Sequence, residues 1–434
     1  MLLEFKTKNF KSFNDEIAFK MIPESIKGID YSVLHRKINK KEYKALSAAV
    51  IYGPNSSGKT NIIGAIEVLK NIVLRGNIKN AEEPTSPNYA TARLELIPNI
   101  KNQMSEPVVF DIKFIAEEMM FEYYLCINLG KFLDTKYKRE VFEEKLSINE
   151  KMIYHRKDSL EIGEIKAIKG YLVNGFNSSN ESIARDNINK EELFLTTYFK
   201  TLYSAKITEI VQAWFKEKLI IIYRADSFRS SPIINESREK VYVDSTLNNA
   251  LRIFGLTGEN IAYSISDENG KTEPVSLIDI GNERIAKIPA DIFESFGTIQ
   301  FMNIFPILLQ AILYGKTVVI DEFDASIHPM ALMSIINIFH NDDINTKGAQ
   351  LIFNTHNPIF LNKNLFRRDE IKFVEKDEET GNSTHYSLSD FGTSVVRNSS
   401  DYMKNYFVSQ YGAIKNIDFS DVFINAESKD MSEV

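Results

Sequence analysis

Residues 53–60 read Gly53-Pro54-Asn55-Ser56-Ser57-Gly58-Lys59-Thr60, and what lies on either side makes them more than a glycine turn. The run Leu46–Tyr52 before them is apolar. From Asn61 to Leu74 apolar residues recur at helical spacing (Ile62, Ile63, Ile66, Leu69, Ile72, Val73). The unit is strand, glycine loop, helix, which is the context that the pattern G-x-x-x-x-G-K-[ST] requires. Small residues let the backbone curl so that successive N–H groups face phosphate oxygens, with the positive end of the helix dipole behind them. Gly53, Pro54, Asn55, Ser56, Ser57, Gly58, Lys59, Thr60 and Asn61 are therefore the candidate phosphate cradle. Lys59 is placed to reach β- and γ-phosphates, and the Thr60 hydroxyl to take a position on Mg²⁺.

Two further strand ends belong with this loop. Val318-Val319-Ile320-Asp321-Glu322 is an apolar strand closed by two carboxylates. Beside the loop strand it would set Asp321 near the metal and Glu322 one residue further toward the γ-phosphate, where a carboxylate polarises the attacking water. An apolar run that stops at charges is common, and the phosphate loop upstream is what gives this pair its meaning. The strand Gln350–Phe353 ends in Asn354-Thr355-His356-Asn357. A lone histidine there reads most simply as a polar strand cap. Three strand ends, at residues 53, 321 and 356, nevertheless converge on one sheet edge, where ligands of such folds bind. The expected catalytic set is Lys59, Glu322 and His356, and the expected metal ligands are Thr60 and Asp321.

The rest of the chain is expected to divide at residues 79, 156, 218 and 375. Segment 1–79 opens on two short strands, with Leu3, Phe5 and Thr7 alternating with charged residues and Ile17-Ala18-Phe19 following a turn. Segment 80–156 changes to period two, with strands expected at Arg93–Ile97, Val108–Ile115, Phe121–Leu129 and Lys151–Tyr154, an antiparallel lobe. Segment 157–218 reads as a helical insertion, clearest over Leu193–Phe215, with a polar break at 177–181 and no sustained heptads. Segment 219–375 is mixed up to the apolar helix Ile299–Leu313 and the two strands above. Segment 376–434 is an extension that ends in an acidic tail, from Asp418 to Glu433, expected to be lightly packed. Uninterrupted apolar strands with helices between them imply a mostly parallel α/β core covered on both faces.

Composition narrows the function classes. The 434 residues are 44% hydrophobic and 26% charged, as in a globular chain, with 52 basic and 59 acidic side chains. A net charge of −7 excludes a uniformly basic coat for nucleic acid. The run Arg36, Lys37, Lys40, Lys41, Lys44 is a candidate backbone-phosphate contact, although Glu42 dilutes it and a solvated loop is the plainer reading. The single cysteine, Cys126, excludes an intramolecular disulfide and a cysteine zinc cage, which fits a reducing cytoplasm. Glu4 and Asp15 interrupt the start where an export signal would be apolar. Ile299–Leu313 is shorter than the ~20 residues of a membrane span, so no membrane is expected.

With these motifs in place the sequence resembles the ABC-type ATPase heads of the SMC, RecF and OLD group. Asn9-Phe10-Lys11-Ser12-Phe13 is similar to the strand that opens RecF-like and OLD-like ATPases. Gly53–Thr60 and Val318–Glu322 match the Walker A and B motifs, Ala325-Ser326-Ile327-His328 lies at the D-loop position and His356 at that of the switch histidine. Glu294-Ser295-Phe296-Gly297-Thr298 resembles a shortened signature motif. The resemblance implies that Ser295 and the Gly297 amide bind the γ-phosphate of ATP held by a second copy, in a homodimer or larger even-numbered assembly.

The tract from Ser295 to His356, with Phe366-Arg367-Arg368-Asp369, Phe373-Val374-Glu375-Lys376-Asp377 and Tyr411-Gly412-Ala413-Ile414, resembles the bacterial OLD-like, RloA-like and AbiL-like ATPases of abortive-infection systems. That branch implies an anti-phage role, with ATP-driven dimerisation controlling a separate effector such as a nuclease or toxin encoded nearby. A RecF-like DNA-repair clamp and a low-turnover ATP-dependent scaffold are the alternatives. Three positions depart from the pattern: no Q-loop glutamine can be assigned, Gln410 replaces an arginine, and Phe296 stands where relatives carry a small or acidic residue. OLD proteins also carry a Toprim nuclease. Here Phe373-Val374-Glu375 is read instead as an ordinary hairpin strand with Gly381-Asn382 at its turn, because Asp418 and Asp421 cannot supply the Asp-x-Asp pair.

Overall fold

The computed structural model describes residues 1–25, 30–174, 176, 179–230, 241–256, 260–265, 272–282, 284–392, 396, 400–415, 417–420 and 422–423. Most of the acidic tail, and residues 177–178 of the polar break, lie outside these.

The core is a six-stranded sheet in the order Leu219–Ile222, Thr317–Ile320, Gln350–Asn354, Ala48–Tyr52, Ile371–Lys376, Ser383–Ser387. The first five strands are parallel and the last is antiparallel. The strand before the phosphate loop is shorter than the apolar run, because Ser47 separates Lys41–Leu46 from Ala48–Tyr52. Alternate residues of each strand enter two different cores. Ala49, Ile51, Val319 and Ile352 join one, with the helix Lys59–Arg75 and a second sheet. Val50, Tyr52, Val318, Ile320 and Phe353 join the other, with the helices Phe296–Tyr314 and Pro329–His340. Burial on both faces is why these strands lack polar alternation.

The second sheet is antiparallel, in the order Leu160–Ile162, Lys151–Arg156, Glu140–Ile148, Met119–Asn128, Val108–Ala116, Leu2–Lys8, Ile17–Lys20. It unites the opening strands with those beyond residue 80. One expected strand is absent: Leu94–Leu96 is a 3₁₀ turn. Asn80 Oδ1 accepts from the Leu94 amide (3.1 Å), and Glu95 takes Asn80 (2.9 Å) and Arg139 (2.7 Å), so side chains occupy groups a ladder would need. Leu160–Ile162 is a strand inside the segment read as helical. The rest of the described insertion includes the helices Leu195–Tyr203 and Ala205–Ala213, which Ser204 separates. It packs into the first core, where Trp214 stacks on Phe114 at 4.0 Å.

In segment 219–375 the structure contains a third, four-stranded antiparallel sheet, Val241–Tyr242, Asn260–Ile265, Thr272–Asp279 and Ile285–Pro289. The apolar helix is longer than Ile299–Leu313: it spans the 19 residues Phe296–Tyr314 and by length and composition could cross a membrane. Its Ile299, Met302, Ile304 and Leu308 are buried in the second core. The basic run forms the hairpin Val33–Ile38 and Lys41–Leu46 rather than a loop, and Lys41 pairs with Glu150. Ile371–Lys376 and Ser383–Ser387 form the hairpin expected around Gly381-Asn382.

Candidate functional site

Parallel register aligns four strand ends on one edge. Ile222 lies opposite Ile320, Ile320 opposite Phe353, and Phe353 opposite Val50. The residues that follow are Arg224, Asp321-Glu322, His356 and the phosphate loop. A cleft of about 170 Å³ opens there, lined by residues 55–61 with Glu322, Asn354 and His356.

The loop is held in a phosphate-binding curl by contacts that only glycine permits. A Cβ on Gly53 would stand 2.2 Å from the Val374 carbonyl oxygen. At Gly58, whose φ is +112°, it would stand 2.8 Å from both Ser12 Oγ and Ser383 Oγ. Ser383 Oγ donates to the Ser57 carbonyl (2.5 Å), and Asn61 Nδ2 donates to Ser12 Oγ (2.8 Å). Lys59 Nζ donates back to the carbonyls of Gly53 (2.8 Å) and Pro54 (3.0 Å), so its amine sits inside the curl. Burial holds that amine down to about 8, against the opposing pull of Asp321, Glu322 and Asp324. Ser57 Oγ is buried without a partner among the described residues. A ring of amides, a cation and an orphaned hydroxyl fits the oxygens of a phosphate chain.

Thr60 Oγ1 donates to Asp321 Oδ1 at 2.8 Å, bringing the two expected metal ligands together. The oxygen-only pair suits a hard divalent cation. Asn354, buried at the end of its strand, donates to Asp321 Oδ1 (2.5 Å) and accepts from the Glu322 amide (2.5 Å). Its position one residue before Thr355-His356 was visible in the sequence, whereas its bridging contacts require the register. Glu322 adopts φ 58° and faces the cleft, with its carboxyl raised by partial burial and then by Asp321 and Asp226. His356 lines the same cleft. Partial burial and then Lys59 hold its ring below the ordinary histidine value, so it is neutral at pH 7.

Ser295 and Gly297 do not line this cleft. Ser295 caps the helix Phe296–Tyr314, accepting from the Thr298 amide at 3.1 Å, and is exposed with Phe296 beside it. Gly297 packs against the D-loop position, where a Cβ would stand 2.5 Å from the Ser326 carbonyl oxygen. Within one chain Ser295 is therefore exposed and stands apart from the cleft lining. The Tyr411–Ile414 tract packs behind the sheet: Tyr411 and Ala413 are buried, and Tyr386 Oη donates to the Tyr411 carbonyl (2.8 Å).

A family profile described as "AAA domain, putative AbiEii toxin, Type IV TA system" matches residues 48–362, from the loop strand to just past His356. The chain belongs to this AAA family. The protein is accordingly an AAA-family chain whose mixed α/β core carries a phosphate loop. Among solved structures, an SMC head domain from Thermotoga maritima is 13% identical, with 89% of this chain and 98% of that chain covered and a TM-score of 0.38. An SmcHead crystallised with the C-winged helix domain of ScpA is 13% identical, with 90% and 98% covered and a TM-score of 0.37. A search of curated proteins finds no match.

Proposed function

We propose that this AAA-family chain is a Mg²⁺-dependent ATPase that hydrolyses ATP to ADP and phosphate. The observation that carries the reading is the 2.8 Å contact of Thr60 with Asp321, which joins the phosphate loop to the acidic strand end. Lys59 turns from the loop carbonyls to the β- and γ-phosphates, and the amides of residues 53–61 hold the phosphate oxygens. Thr60 and Asp321 would hold Mg²⁺, which would supply charge neutralisation for the phosphates. Glu322 accepts the proton of the attacking water, and neutral His356 hydrogen-bonds at the γ-phosphate end. A larger cleft of about 990 Å³ on the other side of the loop, lined in part by Lys11, Ser12, Ile100, Phe132 and Lys415, has room for base and ribose.

The test is phosphate release and nucleotide binding by the purified chain, with and without EDTA. Lys59→Ala is expected to abolish ATP binding, and EDTA to stop turnover. Unchanged affinity in Lys59→Ala, or a parent chain that binds no adenine nucleotide, refutes the reading. Binding without turnover favours the low-turnover scaffold.

The exposed Ser295 supports an ATP-driven head-to-tail dimer, in which each Ser295 and Gly297 contacts the nucleotide on the partner's loop. Exposed Ile292, Phe293 and Phe296 give that contact an apolar surface. Inactive Ser295→Arg and Lys59→Ala chains, once mixed, should regain activity through the one composite site that keeps Lys59 and Ser295. If mixing restores nothing, the site is not shared. The resemblance to the OLD-like branch supports a cytoplasmic anti-phage role for this dimer, controlling a separate nuclease or toxin. The five-segment division of the chain is part of the same proposal. The exposed hairpin residues Lys37, Lys40 and Lys44 favour a second reading, a RecF/SMC-like DNA-binding clamp. ATP-dependent gel-shift binding that falls steeply with salt would support it.

A further inference from the structure

Arg224 follows the strand Leu219–Ile222, whose last residue lies opposite Ile320. Beyond that pair the two segments stay joined: the Asp321 amide donates to the Ile222 carbonyl (2.9 Å), and the Ala225 amide donates to the Asp321 carbonyl (3.0 Å). The step from Ile222 to Ala225 leaves Tyr223 and Arg224 bulged beside Asp321, with Arg224 close enough to Glu322 and Asp321 for their charges to act on it. Both residues are left-handed, Arg224 at φ 62° and Glu322 at φ 58°. Non-glycine residues held in that region concentrate at functional sites.

The Arg224 side chain is 57% exposed, and its hydrogen bond among the described residues goes to Asp226 Oδ2 at 3.1 Å. An exposed pair of this kind is weakly held, so it exchanges readily for a stronger partner. Most of the five guanidinium N–H donors remain available. Around Glu322 the structure gathers Asp321, Asp226 and Asp324, with Arg224 as the opposing cation, while the cation lining the cleft is Lys59. Charge on a transferring γ-phosphoryl group spreads over its equatorial oxygens and calls for further cations. The loop that carries Arg224 is also seated by the helix that starts after Ser295. Gln300 Nε2 donates to the Asp226 carbonyl (2.6 Å), and Asn303 Oδ1 accepts from the Ser230 amide (3.0 Å).

We propose that Arg224 is a further catalytic residue, whose guanidinium leaves Asp226 to contact the γ-phosphoryl group held on Lys59 of the same chain. No covalent bond to Arg224 forms or breaks. Water adds to phosphorus, Glu322 takes its proton, ADP departs, and Arg224 supplies charge. The inference rests on the ATPase reading above.

The test measures kcat and KM for ATP, together with affinity for ADP in the absence and presence of aluminium fluoride, a mimic of the transferring group. Arg224→Ala should lower kcat by about tenfold or more and weaken the aluminium fluoride complex comparably. Its affinity for ADP alone should stay within about twofold of the parent. Arg224→Lys should recover part of both losses, and Asp226→Asn, which frees the guanidinium, should not lower kcat. If Arg224→Ala keeps the parental kcat and aluminium fluoride affinity in a parent that hydrolyses ATP, this inference fails and the ATPase reading stands. If Asp226→Asn loses as much as Arg224→Ala, the pair is structural and the proposal is overturned. A parent chain that hydrolyses no ATP overturns both.

Discussion

Glu322→Gln is expected to keep ATP binding and to lose turnover by about 10²–10⁴-fold, the range over which a positioned general base contributes. The substitution preserves what the structure uses to place the residue. Its amide still donates to Asn354 Oδ1, and its left-handed backbone is set by the strand end rather than by the carboxylate. The side chain faces the cleft and is largely exposed, so a neutral amide of equal size leaves no buried hole. What disappears is the oxygen that can accept a proton from water. A loss of that size raises the barrier by about 3–5 kcal/mol. Phosphate release read beside fluorescent-nucleotide binding separates the two effects. If hydrolysis slows no further than binding weakens, Glu322 belongs to the binding surface rather than to the chemistry. Light scattering in ATP adds a second readout, because a chain that binds without hydrolysing should accumulate as the nucleotide-joined dimer.

The sheet edge that carries the candidate site was legible in the sequence because its strands are buried on both faces. Such strands are written as unbroken apolar runs, and the residue that ends each run is the one at the edge. Lys59, Thr60, Asp321, Glu322 and His356 could therefore be grouped without coordinates; in the structure four of them line one cleft, and buried Asp321 is hydrogen-bonded to Thr60. Asn354 and Arg224 could not, since an ordinary polar residue after a strand acquires meaning only through the neighbour that register gives it. Ser295 was singled out through resemblance alone; the structure adds that it is exposed and absent from the cleft lining. The antiparallel lobe was read less well for a related reason. Arg93–Ile97 has strand-like alternation, yet Asn80 takes the Leu94 amide, and Asn80 and Arg139 hold the Glu95 carboxylate. Glu140–Ile148 is a nine-residue strand that the pattern concealed, because Glu143 and Glu144 break the alternation and Glu144 points into the core.

That inward glutamate supports the second large effect. Glu144 is fully buried, and its two oxygens accept from four donors: Tyr123 Oη (3.0 Å), Tyr154 Oη (2.9 Å), and the amides of Phe194 (2.6 Å) and Leu195 (3.0 Å). Arg156, itself nearly buried, stands 3.8 Å away. The two amides open the helical turn Leu195–Tyr203, so one carboxylate closes that turn and ties the insertion to the antiparallel sheet. Glu144→Ala would leave two phenols and two amides without their acceptor and a buried guanidinium without its counter-charge, and would open a void where the side chain was. Removing one side of a buried charged network costs about 3–5 kcal/mol. Tyr123→Phe and Tyr154→Phe each remove a donor and leave the carboxylate engaged, so each should cost only about 1 kcal/mol. Denaturant unfolding of the three variants, with m-values compared, tests the ranking. If Glu144→Ala loses no more than the phenylalanine variants, the carboxylate is not what joins insertion to sheet. In that case the aromatic packing of Tyr154 on Phe194, 4.8 Å between ring centres, holds them instead.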